Sequence, residues 1–135
     1  MTYKIAEIEG IGDAYARKLE EAGVHTVADL LTRGASPSGR GQLAEATGLS
    51  PKLILRWVNH ADLMRIKGVA GQFAELLEAA GVDTVKEFRH RVPANLQPKL
   101  KEVNDARNLC NRLPSLAELT SMIEQAKELP PVVTY

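Results

Sequence analysis

The sequence predicts an all-α protein in which one helical unit is used twice and a further helix closes the chain. The first observation is a repeat: Ile8–Val27, IEGIGDAYARKLEEAGVHTV, recurs without a gap as Ile66–Val85, IKGVAGQFAELLEAAGVDTV, at an offset of 58 (66 − 8). Glycines, apolar positions and a capping threonine coincide in the two copies, which marks one supersecondary unit. The second observation is spacing, since apolar residues recur three and four apart, on one face of a helix. The third is that no stretch alternates with period two between turn signals. The one β-rich piece, the terminal PVVTY, is too short and isolated to make a sheet.

In the first copy, Gly10-Ile11-Gly12 precedes a helix over about Asp13–Ala22, with Tyr15, Leu19 and Ala22 on one face. Gly23 ends it, because glycine takes the left-handed conformation at low cost and lets Val24 pack back on the helix end. Thr26 opens the next helix with Asp29 three residues on, as Thr84 does with Glu87. Hydroxyl and carboxylate can each satisfy a free backbone amide there. RGASPSGRGQ reads as a glycine- and serine-rich loop, followed by a helix over roughly Gln42–Thr47 that Gly48 stops. Ser50-Pro51 starts a longer helix with Leu53, Trp57, His60 and Met64 along one face. Trp57 is expected to fill the seam between the repeats. After the second copy, Pro98-Lys99-Leu100 echoes Pro51-Lys52-Leu53, so the long helix is expected to recur from Pro98. A last helix starts at Ser115 with Glu118 completing S-x-x-E, carries Leu116, Leu119, Ile123 and Ala126 as a stripe, and stops at Pro130-Pro131. The expected divisions are 1–64, 65–112 and 113–135, packed as one domain.

Ile8-Glu9-Gly10-Ile11-Gly12 followed by Ala16 and Leu19 resembles the helix-hairpin-helix motif. Ile66-Lys67-Gly68-Val69-Ala70 departs from it, with alanine at the second glycine and Gly71 next. Over almost the whole chain, the order of LLTRG, GRGQLAEATGLS, KLILRWVNHADLMRIKGVA and LKEVNDARNLCNRLPS is similar to the bacterial domain of unknown function 4332 family. The resemblance implies two pseudo-symmetric helix-hairpin-helix (SAM-like) units and carries no established activity.

Such a turn can bind nucleic acid because its glycines let several N–H groups point outward at a helix start, where the helix dipole also favours an anion. It would read no base, so binding would be sequence-independent and salt-sensitive. The charge is distributed unevenly: residues 1–50 hold five basic and seven acidic side chains, and residues 51–112 hold eleven and seven, within a chain of net charge +0. Glu7, Glu9 and Asp13 flank the first hairpin, whereas Arg65 and Lys67 flank the second, with Arg56 upstream. Double-stranded DNA is therefore expected at Arg65, Lys67, Gly68, Val69, Ala70 and Gly71, and secondarily at Gly10, Ile11 and Gly12. Lys86, Arg89, His90, Arg91, Lys99 and Lys101 could extend that surface or form a solvated face. The alternative is a protein-interaction module, using the Ser115–Leu129 helix or the acidic hairpin against a basic partner.

Other chemistry finds little support. His25, His60 and His90 are far apart without ligand spacing, so neither a metal nor a cofactor is expected. Cys110, the single cysteine, excludes an intramolecular disulfide and stands in no nucleophile motif. Asp62 and Glu75 form no recognisable acid/base pair, and no enzymatic signature is present. No membrane span or signal peptide is visible, and a cytoplasmic location is expected.

Overall fold

The structure is a computed structural model and describes residues 3–135. Among these residues it is all helical, with one isolated antiparallel bridge, Lys4 to Thr26, and no strand. It divides into two compact units, residues 3–62 with Val132–Tyr135, and Leu63–Pro131. The C-terminal helix therefore belongs to the second unit and the terminal residues to the first.

In the first unit a 3-10 turn, Ile5–Glu7, leads to α1 (Asp13–Glu21), α2 (Val27–Gly34), α3 (Pro37–Thr47) and α4 (Pro51–Leu63). The N-terminal segment is pinned on the α1–α2 connection, where the Ile5 amide donates to the His25 carbonyl (3.1 Å) and the Val27 amide to the Tyr3 carbonyl (3.0 Å). Ala16 and Leu19 are the buried residues of α1, while Tyr15 is exposed. Past Gly23, at φ 90°, the Val24 amide donates to the Leu19 carbonyl (2.9 Å), closing the helix end.

The expected loop RGASPSGRGQ is mostly helix. Ser36 accepts from the Gly39 amide and Pro37 takes the first helical turn, so α3 begins five residues before Gln42. That is the same signal as Ser50-Pro51, obscured by its glycines, two of which, Gly34 and Gly39, have a packing role. A Cβ on Gly39 would lie 2.0 Å from the Arg33 carbonyl oxygen, and one on Gly34 2.5 Å from a Val58 methyl. Every residue of α4 from Trp57 to Leu63 is buried, beyond the one face that the spacing indicated.

The second unit contains α5 (Gly71–Ala79), α6 (Val85–Phe88), α7 (Pro93–Arg107) and α8 (Leu116–Glu128). Here too a helix start moves. α7 begins at Pro93, and Pro98 lies inside it as an exposed residue. Proline at N1 costs nothing because that N–H would be free, whereas Pro98 only deletes one helical bond on the solvent side. The recurrence expected from Pro98 is therefore absent. The residues that match α4 lie in α8, at an offset of 65 (115 − 50). The starting serines Ser50 and Ser115 correspond, as do the buried Ile54/Leu119, Trp57/Met122, Val58/Ile123 and Ala61/Ala126. In the same sense α7 packs on α5 as α3 packs on α1.

Candidate nucleic-acid interface

The two glycine turns have closely similar backbones. Gly10 and Gly68 both sit in the left-handed region, at φ 92° and 100°. In each turn one amide closes back on the carbonyl three residues earlier, Ile11 on Ile8 and Val69 on Ile66, both at 3.1 Å. The N-cap positions Gly12 (φ −85°, ψ −176°) and Ala70 (φ −103°, ψ −175°) are both extended. This explains why alanine is tolerated at the second glycine of the motif: an extended residue needs no glycine, and a Cβ at Gly12 would meet nothing within 4 Å. Gly68 and Ala70 are exposed, Val69 is buried and Gly71 is buried; Gly10 and Gly12 are exposed and Ile11 is buried.

These turns also start helices that the protein leaves uncapped. The N-termini of α2, α3, α6 and α8 are closed by the hydroxyls of Thr26, Ser36, Thr84 and Ser115, and that of α4 by Ser50 (3.3 Å to the Leu53 amide). At α1, α5 and α7 no N-cap side chain accepts from the first-turn amides; at α7 the proline Pro93 removes one of those amides, whereas α1 and α5 keep theirs. The first four N–H groups of a helix need an acceptor from outside the ladder, so a water or anion must serve here.

The side chains around the turns carry opposite charge. At the 58-residue offset Glu7 corresponds to Arg65 and Glu9 to Lys67. Asp13, in the first turn of α1, corresponds to Gly71, so only the first hairpin carries a carboxylate at its own helix start. The Glu7 carboxylate already accepts from the Lys4 amide (2.7 Å). Lys67 is exposed and Arg65 is half-buried.

Each turn has its own backing. The Gly10 Cα faces Trp57, whose Nε1 would lie 3.8 Å from an added Cβ, and the Tyr15 ring tilts over the indole at 5.2 Å. Trp57 thus packs beneath the first hairpin, within its own unit. Behind Gly68 is Met122 of α8, its Cε 3.1 Å from an added Cβ. The Gln125 side-chain amide holds Lys67 from both sides, accepting from its N–H (2.9 Å) and donating to its carbonyl (3.4 Å). The Lys67 amide is therefore occupied, while its ammonium remains exposed.

The wider basic strip is divided between structure and solvent. Arg89 donates to the Leu129 carbonyl (2.8 Å), and Arg91 donates to the Gly81 carbonyl (2.9 Å) and to Glu87 (3.1 Å). Lys86, His90, Lys99 and Lys101 are exposed, with Lys101 paired to Asp105 at 2.8 Å. Arg33 matches Arg91 at the same offset and donates to the Ala22 carbonyl (2.8 Å). These two arginines neutralise the carbonyl ends of α1 and α5. Their number offset was the signal that could have extended the repeat beyond Val27 and Val85.

Asp29 and Glu118 are two carboxylates lowered by local structure. Asp29 is held below the usual range first by the His25 amide and then by the Thr26 amide. Glu118 is lowered first by the Ser115 amide and then by Arg112, which donates to it. Both are capping groups. Among the described residues no three His, Cys, Asp or Glu side chains form a group that could hold a metal, and Cys110 is buried. No described helix is long and apolar enough to cross a membrane.

The fold and its turns define an all-α protein with two oppositely charged glycine turns at uncapped helix starts. The chain belongs to the family described as domain of unknown function 4332 (DUF4332), whose model matches residues 9–129. No curated protein and no solved structure matches it.

Proposed function

We propose that the chain is a non-enzymatic, tandem helix-hairpin-helix protein that binds the backbone of double-stranded DNA through Arg65 and Lys67 and the turn from Gly68 to Gly71. The observation that carries this reading is the uncapped start of α5 beside an exposed lysine, in a protein that caps five other helices with its own hydroxyls. A phosphate oxygen supplies the acceptor that these amides lack, and Lys67 supplies the charge. The first hairpin, with the same backbone, carries Glu9 and Asp13 and binds phosphate more weakly or not at all.

The alternative is a protein-interaction role. The apolar stripe of α8 supports it little, because Leu119 and Ile123 are buried and α8 packs on α6 and α7. A partner reaching α8 would meet its polar face and the exposed Leu116. The acidic first hairpin with exposed Tyr15 favours a basic partner in that case.

Titration of labelled duplex DNA by fluorescence anisotropy tests the reading. Binding should weaken several-fold between about 50 and about 200 mM salt, as a few phosphate contacts require. Lys67→Glu should abolish it with helicity unchanged by circular dichroism. Absence of binding at the lower salt would sink the reading and favour a protein partner.

A further inference from the structure

Arg40 is 6% exposed, and its guanidinium is held by backbone carbonyls. Nη1 donates to the Gly34 (2.9 Å) and Ala35 (3.1 Å) carbonyls at the end of α2, and Nη2 donates to the Thr134 carbonyl (2.6 Å). The first two acceptors are fixed by the local fold, while the third comes from a residue 94 positions further on. A buried cation needs all its donors met, so the site is incomplete without that segment.

The segment is bound without regular secondary structure. The Thr134 amide donates to the Ala35 carbonyl (2.8 Å), the Tyr135 ring lies 5.8 Å from the Arg40 guanidinium, and the Tyr135 hydroxyl donates to Asn59 (3.1 Å). One backbone hydrogen bond, a carbonyl contact, a cation over a ring and a phenol contact together read a tyrosine preceded by a residue whose own N–H and C=O are both bound. None of residues 132–135 is buried, and Pro130-Pro131 ahead of them can neither donate nor continue α8. The hold is thus made of a few polar contacts at Thr134 and Tyr135.

We propose that residues 132–135 are a releasable strap and that the α2–α3 corner is the peptide site that holds it in cis, with Arg40 as receptor. Release leaves an Arg40 donor and the Asn59 carbonyl oxygen without their partners, and the vacated corner takes a peptide of the same chemistry.

Hydrogen exchange at the Thr134 amide of the full chain tests this. The amide should be slow in the wild type, about tenfold faster in Tyr135→Ala, and intermediate in Tyr135→Phe, with no dependence on protein concentration. A free peptide of sequence LPPVVTY at millimolar concentration should accelerate its exchange by holding the corner open to the strap. Tyr135 is 72% exposed, so these variants leave the fold intact; Arg40→Met then asks whether the receptor is needed. Random-coil exchange in the wild type, or no response to the peptide, would overturn the proposal. Protection that grows with protein concentration would overturn the cis arrangement, because the strap would then be shared between copies.

Discussion

Gly10 turns at φ 92° over the indole of Trp57, whereas Gly68 turns at φ 100° against the terminal methyl of Met122. The first turn is edged by Glu7, Glu9 and Asp13, the second by Arg65 and Lys67, and only the second has its backbone clamped by a glutamine. The backbone is thus set by a few glycines and apolar residues, and what the turn can attract is set separately by the side chains at its edge. A sequence motif that records only the glycines does not distinguish the two.

The largest effects should come from removing the backing. Trp57→Ala should destabilise the protein by about 3–5 kcal/mol, and Met122→Ala by about 2–3 kcal/mol, since an unbranched side chain leaves a smaller, more adaptable cavity. Denaturant unfolding would read both. Equal losses would mean that the two turns are supported alike.

Next in size are the glycines themselves. Gly10→Ala and Gly68→Ala each place a Cβ in the left-handed region, at a cost of about 1–2 kcal/mol. The loss should be greater at Gly68, where the methyl also presses on Met122. If so, Met122→Ala should relieve part of it in the double variant, a non-additivity readable by a double-mutant cycle.

Smaller again is Gln125→Ala, which frees the Lys67 backbone and should cost about 1 kcal/mol, with faster exchange of the Lys67 amide. No counterpart clamp by a glutamine exists at Glu9, where the residue matching Gln125 is His60.

The pH response should be smaller still and separate the caps from the turns. The carboxyls of Asp29 and Glu118 titrate lower in the folded chain than unfolded, so their stabilisation is complete above the ordinary carboxylate range. It is lost as pH falls through the lowered values. Thermal unfolding should therefore be insensitive to these groups from neutral pH to about pH 5 and respond below it. Asp29→Asn and Glu118→Gln should flatten that acid limb; an unchanged limb would show that the caps are not its source.

Much of the fold could be read in the sequence wherever one residue type has one local use. Gly23 and Gly81 at positive φ, Thr26, Thr84 and Ser115 as caps, and the Asp13 helix start follow from backbone chemistry alone. The α3 start was hidden because Gly39 and Gly41 resemble a loop, whereas Gly39 is small in order to pass the Arg33 carbonyl. The kinship of α8 with α4 was hidden because it survives only as a serine, an alanine and a burial pattern, with tryptophan replaced by methionine. At the candidate interface the opposite charges were visible in sequence. The Gln125 clamp, Arg33, Arg91 and the Arg40 strap contact were not, since each joins residues through a backbone carbonyl or amide that any sequence supplies.

The measurement that bears most directly on the central claim is a charge exchange between the turns, read as duplex-DNA affinity by anisotropy at about 50 mM salt. Lys67→Glu should abolish binding, and adding Glu9→Lys to that variant should restore part of it through the first turn. Affinity that ignores both substitutions would contradict the claim that edge charge decides which of two similar turns takes a phosphate.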